Sequence, residues 1–367
     1  MAAAAGLTRW LGSRWAHLDG PHRLTGVDLA RGLAVMGMFA AHLVALPAFD
    51  AAGPTTWVDV ASGRSSILFA VLAGVSIGLV TGGRRPVSGL ALRAVRARLM
   101  ARAAVIWALG IVLIATGVPV YVILPAYGIL FLLALPFLQL PARTLFVIAG
   151  ALAVVMPFVQ VLLDDLPLWH TAPGELVALV IGWHYPFSTW IAFVLCGLGI
   201  GRLDLRSARV GGMLVLAGAV LTVIGYGLAA GPGPVSGYGA AVWTAAPHSS
   251  GLLEVVGSGG FALAVLGLCL LVCRTVLRWV VVPLRAVGSM SLTAYTAQLV
   301  VWAIVAAVVL GDPGDLSGFR ALDPFWPMVW STLVACTLWA VCAGRGPLEW
   351  GLARLTGAVG RAARLER

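Results

Sequence analysis

Ten apolar segments recur between about residues 27 and 343, each about the length of a bilayer crossing. Arginine falls almost wholly on alternate connections between them. That arrangement constrains the fold more than any motif does. The chain is 60% hydrophobic and only 10% charged, with a mean hydropathy of +0.99. A soluble core does not need that composition; lipid-facing helices do. The expected fold is an all-α polytopic membrane protein of about ten transmembrane helices, near 27–47, 64–82, 100–118, 120–139, 143–163, 186–203, 208–230, 251–273, 288–310 and 325–343. The apolar stretch Glu175 to His184 is short. It reads either as the outer half of the sixth helix, kinked at Pro186, or as a helix in the interface.

All 24 basic residues are arginine. They precede the first span, cluster between the second and third (Arg84, Arg85, Arg93, Arg96, Arg98, Arg102), recur on later even connections, and follow the last span. The other side carries Arg64 and Arg320 among Asp50, Asp59, Asp164, Asp165, Glu175, Asp312, Asp315 and Asp323. By the positive-inside rule both termini are cytoplasmic. Residues 1–22 then form a cytoplasmic lead, 23–343 the bundle and 344–367 a cytoplasmic tail. The net charge of +10 follows from topology and does not indicate nucleic-acid binding. All five cysteines lie within or at the ends of apolar spans, where they read as small packing residues. The chain has no P-loop, Gly-x-Ser-x-Gly elbow or His-Glu-x-x-His helix, so ATP-driven transport is not indicated. High Ala and Gly with all-Arg usage fits a GC-rich bacterial genome.

The stretch RLTGVDLARGLAVMGMFAAH at 23–42 resembles the first helix of the transmembrane acyltransferase superfamily. That group includes heparan-α-glucosaminide N-acetyltransferase and bacterial enzymes that O-acetylate surface glycans. GRSSILFAVLAGVSIGL (63–79), WHYPFSTWIAFVLCGLGIGRLDL (183–205), AVGSMSLTAYTAQLVVW (286–302) and GRGPLEW (344–350) resemble, in order, segments of its YeiB-like bacterial branch. The resemblance implies transfer of an acyl group, acetyl above all, from acyl-CoA to an extracytoplasmic glycan or lipid-linked sugar, across a bacterial cytoplasmic membrane. His42 departs from the heparan enzyme, which has Asn there, and is similar to the first-helix His of the glycan O-acetyltransferases.

Intramembrane polar residues cost at least about 2.5 kcal/mol when charged at the bilayer centre, so each needs a reason. Asp28 and Arg31 stand on one face at the start of the first helix, as an ion pair or beside the donor's point of access. Arg96, Arg98 and Arg102 suit phosphates, because guanidinium pairs with them bidentately, and equally suit membrane anchoring. Tyr127 is taken with this donor group. His42 lies about 21 Å up the helix from Asp28, where a neutral imidazole can accept a proton from an attacking hydroxyl or amine. Arg64 stands where the charge rule would not place it. It either stabilises an oxyanion or bridges Asp59 or Asp50. His248 with Glu254 reads as a His near an orienting acid. Trp57, Asp59, His184, Tyr185, Trp190, Tyr295 and Gln298 complete the expected acceptor contacts, although interhelical bonding and an aromatic belt explain several equally well. No metal is expected. The partners are the lipid bilayer and the sugar acceptor, with a homodimer admitted and nucleic acid excluded. The alternative function is a transporter or flippase for a lipid or small amphiphile, which intramembrane polar residues also suit. The catalytic reading requires a continuous passage from the arginines to His42.

Overall fold

The computed structural model describes residues 15, 17–21, 23–45, 53–234 and 236–365. Asp50 and most of the lead lie outside them. Among the described residues the chain is helical, with no strand. The helices are α1 (Thr25–Leu43), α2 (Arg64–Val80), α3 (Gly89–Ile114), α4 (Leu124–Leu133), α5 (Ala142–Asp164), α6 (Ala172–Ile181) and α7 (Phe187–Ile200). They continue with α8 (Ala208–Ala229), α9 (Gly237–Val242), α10 (Leu252–Val272), α11 (Val282–Ser289), α12 (Ser291–Val309), α13 (Leu316–Ala321), α14 (Phe325–Cys342) and α15 (Pro347–Leu365).

Every expected span falls on a helix, but among the described residues only seven helical stretches are long and apolar enough to cross a membrane. These are Thr56–Val80, α3, α5, α8, α10, α12 and α14. The chain is thus a multi-pass membrane protein. α4, α6 and α7 are apolar but shorter. α1 misses the set because Asp28, Arg31 and His42 lower its hydropathy. The expected span 288–310 is broken at Met290, which separates α11 from α12. The stretch from Glu175 belongs to a separate helix, α6, which ends at Gly182 in the left-handed conformation (φ 69°), and α7 restarts after Pro186.

Glycine sets the closest helix contacts. A Cβ on Gly288 would sit 1.7 Å from the Asp28 carbonyl oxygen, and one on Gly32 2.0 Å from that of Leu284. α11 and α1 therefore touch backbone to backbone, as small residues permit in membranes. Arginine also pins the packing. Arg202 is buried and donates to the carbonyls of Gly78, Thr81, Gly83 and Leu138. Arg285, 1% exposed, pairs with Asp19 at 2.5 Å and donates to the Leu18 carbonyl. The Nη donors of both guanidinium groups are paired in this way, which makes their burial tolerable, while the Nε of each has no partner among the described residues.

Candidate functional site

At the arginine-rich end, α1, α2, α3, α4, α12 and α15 surround a cavity of about 660 Å³. Arg23, Arg31, Arg98, Arg102 and Arg345 line it, with Glu349 as the one carboxylate on its wall among the described residues. α3 places Arg98 and Arg102 four residues apart, one turn along a single helix face. The Nε atoms of both are buried without a hydrogen-bond partner among the described residues. Arg102 lies 5.7 Å over the Phe131 ring. Arg96 does not line the cavity, unlike its expected role. Asp28 is held by Arg23 (2.9 Å) and Arg31 (3.2 Å), and Arg31 also donates to Ser76 Oγ at 2.8 Å. Glu349 accepts from the backbone N–H groups of Leu292 and Thr293 and from Thr293 Oγ1. It therefore caps α12, and the dipole at that helix start favours its charge.

Among the described residues, Phe69, Tyr127 and Phe131 line the cavity and His42 does not. The continuous passage expected from the sequence is thus not open among them, and the acyltransfer reading needs Tyr127 to move. The Tyr127 hydroxyl donates to the Ser66 carbonyl at 3.3 Å, and its ring stands 5.6 Å from that of Phe69. This aromatic barrier separates the cavity from a second cluster.

That cluster gathers residues from five parts of the chain. His42 ends α1, and its Nδ1 lies 3.2 Å from Gln298 Nε2. Its ring makes an edge contact with Tyr295 at 6.5 Å. His184 and His248, in the connections before α7 and α10, have ring centroids 5.1 Å apart. Tyr185 meets His248 at 5.6 Å and Trp190 at 5.1 Å. Tyr121 stacks on His184 at 3.7 Å and is 57% exposed, so the cluster opens outward there. Burial pushes the His248 imidazole down to about 4, with the neighbouring His184 and His42 adding to the effect, and burial lowers His184 as well. Both rings are neutral at pH 7.

The Gln298 amide governs which nitrogen of His42 carries hydrogen. With its NH2 toward Nδ1, the ring hydrogen sits on Nε2, which is then a donor. With the amide turned half a revolution, its oxygen accepts from Nδ1–H and Nε2 becomes the free base.

Glu254 does not orient the His248 ring. Its carboxylate accepts from the backbone N–H of His248 (2.6 Å) and Ser250 (2.7 Å) and from Ser249 Oγ (3.1 Å). His248 and Ser250 both have positive φ, 63° and 54°. Glu254 is thus the clamp on a strained turn that presents the imidazole, whose Nδ1 is buried and has no partner among the described residues. Arg64 lies 4.6 Å over the Tyr226 ring, donates to its hydroxyl at 2.7 Å, and reaches the Asp59 carbonyl at 3.1 Å, not its carboxylate. Tyr226 in turn shares a 2.6 Å hydrogen bond with Ser258. Trp57 is 53% exposed on the 3₁₀ turn Pro54–Ala61. Arg320 donates to the His42 carbonyl at 3.1 and 3.3 Å, closing the C-terminus of α1.

Sequence reasoning missed Tyr121, Tyr226 and Arg345. Tyr121 stands in the connection before α4 and Tyr226 on α8, and neither carries a spacing signal; Arg345 stands within GRGPLEW and was legible there. Among the described residues, no group of three or more His, Cys, Asp or Glu is arranged to hold a metal.

Helices that enclose a guanidinium-lined cavity, with a half-buried imidazole cluster, define a polytopic membrane protein with an internal site. Residues 23–229, more than half of the chain, match the family described as "Heparan-alpha-glucosaminide N-acetyltransferase, catalytic", and the chain belongs to that family. It is a family of membrane acyltransferases whose donor is in general acetyl-CoA. Residues 204–358 match "Protein of unknown function (DUF418)". No curated protein matches the chain.

Proposed function

We propose that this protein moves an acyl group, acetyl above all, from cytoplasmic acyl-CoA to an extracytoplasmic glycan or lipid-linked sugar in a bacterial inner membrane. The observation that carries the reading is the 660 Å³ cavity lined by five arginines, which ends against Tyr127 below the histidine cluster. By the positive-inside rule the arginine-rich end faces the cytoplasm, where acyl-CoA is held. Arg98 and Arg102, with unpartnered Nε donors, meet its phosphates. The pantetheine arm extends along Leu72 and Ile106 toward Tyr127. Displacement of Tyr127 from the Ser66 carbonyl joins the two compartments.

In the transfer step, the acceptor oxygen or nitrogen attacks the thioester carbonyl carbon and the carbon–sulfur bond breaks. His42 Nε2 takes the acceptor's proton and passes it to the departing thiolate, which requires the Gln298 oxygen against Nδ1. His184, His248 and Tyr185 hold the acceptor at the open side near Tyr121. Arg64 attracts an anionic acceptor.

Purified protein with radiolabelled acetyl-CoA and a sugar-lipid extract tests this. Coenzyme A should raise the unfolding temperature of wild type and of His42→Ala, and much less that of Arg98→Ala/Arg102→Ala. His42→Ala should form no labelled product. A wild-type protein that coenzyme A does not stabilise, and that transfers no label, refutes the reading.

A further inference from the structure

The fold leaves α15 with three distinct faces. Leu352, Thr356 and Gly357 line the arginine-rich cavity. At about 100° per residue, Trp350, Arg354 and Arg361 share a second sector. Leu355 and Val359 project into a third, about 140–180° around the helix from Trp350, with Val359 next to the cavity-lining Leu352. Trp350, Leu355 and Val359 are 50%, 58% and 41% exposed. The Arg354 guanidinium lies 4.1 Å over the Trp350 ring. The start of the helix is fixed where the bundle begins, because Glu349 is bonded to the first residues of α12. Gly344, with φ 87°, turns the chain from α14 into it.

We propose that the outer face of α15 is seated on the surface of an anionic lipid leaflet, while its inner face closes the cavity. A helix whose exposed side carries aliphatic groups at one edge and a basic-aromatic sector at the other suits shallow insertion: the aliphatic groups enter the acyl boundary and the guanidinium groups meet phosphates. The aromatic ring sits at headgroup depth, where tryptophan is favoured. Two aliphatic side chains make too small a patch for a stable protein partner, which needs about 1,000 Å². The lipid surface and the bundle then share one wall of the cavity, so leaflet charge reaches the cavity through this helix.

The test uses the full chain in phosphatidylglycerol nanodiscs, with no donor added. The photoreactive residue p-benzoylphenylalanine replaces Leu355 in one variant and Thr356 in another. After irradiation, mass spectrometry should find lipid adducts at 355 and few at 356. The Leu355 adduct should fall several-fold in phosphatidylcholine nanodiscs, and again when Arg354→Glu and Arg361→Glu are introduced. No lipid adduct at 355, equal adducts at both positions, a protein adduct at 355, or indifference to lipid charge would each overturn the proposal. None of these readouts depends on whether the cavity binds coenzyme A, so this proposal and the acyltransfer reading fail separately.

Discussion

Removing the Glu254 carboxylate tests whether this residue is a clamp or an acid. Its two oxygens accept the N–H groups of His248 and Ser250 at 2.6 and 2.7 Å, in a segment with two non-glycine residues at positive φ. In Glu254→Ala those two N–H groups lose their acceptor in a largely buried place. At about 1–3 kcal/mol for each orphaned donor, the loss is about 2–6 kcal/mol. The turn then relaxes and His248 leaves its position beside His184. Glu254→Gln keeps one acceptor oxygen but sets an NH2 against an N–H, so it should lose about half as much. The buried Cys269, Cys273 and Cys336 supply the assay, because a thiol-reactive dye reads their exposure on heating. The expected order of unfolding midpoints is wild type, then Glu254→Gln, then Glu254→Ala. An unfolding midpoint unchanged in Glu254→Ala would refute the clamp. Transfer lost in Glu254→Gln at full stability would instead make the carboxyl group a proton donor.

Further outcomes follow from the same geometry. Arg102→Ala should weaken coenzyme A binding by about 1.5–3 kcal/mol, tenfold or more, measured by titration calorimetry. Gln298→Glu should keep transfer, because a carboxylate holds hydrogen on His42 Nδ1, whereas Gln298→Leu should abolish it; equal rates in the two would exclude His42 Nε2 as the base. The folded-state His248 titrates near 4, against 6.5 for an unfolded imidazole. Its contribution to stability is therefore complete above pH 6.5 and falls as pH drops toward 4, because the unfolded chain binds a proton that the folded one refuses. His248→Gln should flatten thermal unfolding across that window. Gly288→Ala places a methyl 1.7 Å from the Asp28 carbonyl and should cost at least about 1–3 kcal/mol of stability as α1 and α11 part.

The apolar runs announced the helices because lipid demands composition as well as pattern, and each expected span lands on a helical element. The break at Met290 was not read from Gly288, Ser289 and Ser291 around it, because membrane helices also carry such small residues without breaking. Arg96 and Arg98 look equivalent in sequence, yet only Arg98 lines the cavity, and no charge count distinguishes helix faces. His42, His184 and His248 were placed at one depth by topology, and the structure adds that the rings of His184 and His248 meet. Glu254 was read as facing the His248 ring because adjacency in sequence says nothing of which atom of a neighbour is held. α15 was read only as a tail, although Leu348, Leu352, Leu355 and Val359 recur at helical spacing; the segment is too polar overall to stand out as a membrane span.

The histidine cluster draws its parts from both sides of the boundary between the two matched regions. His42 and Tyr185 lie in the first, whereas Gln298, Tyr295 and His248 lie beyond residue 229 in the second. Neither segment is a self-sufficient cassette. A chimera that borrows the first from one relative and the second from another inherits an imidazole without the amide that selects its tautomer, and has to be swapped whole to work.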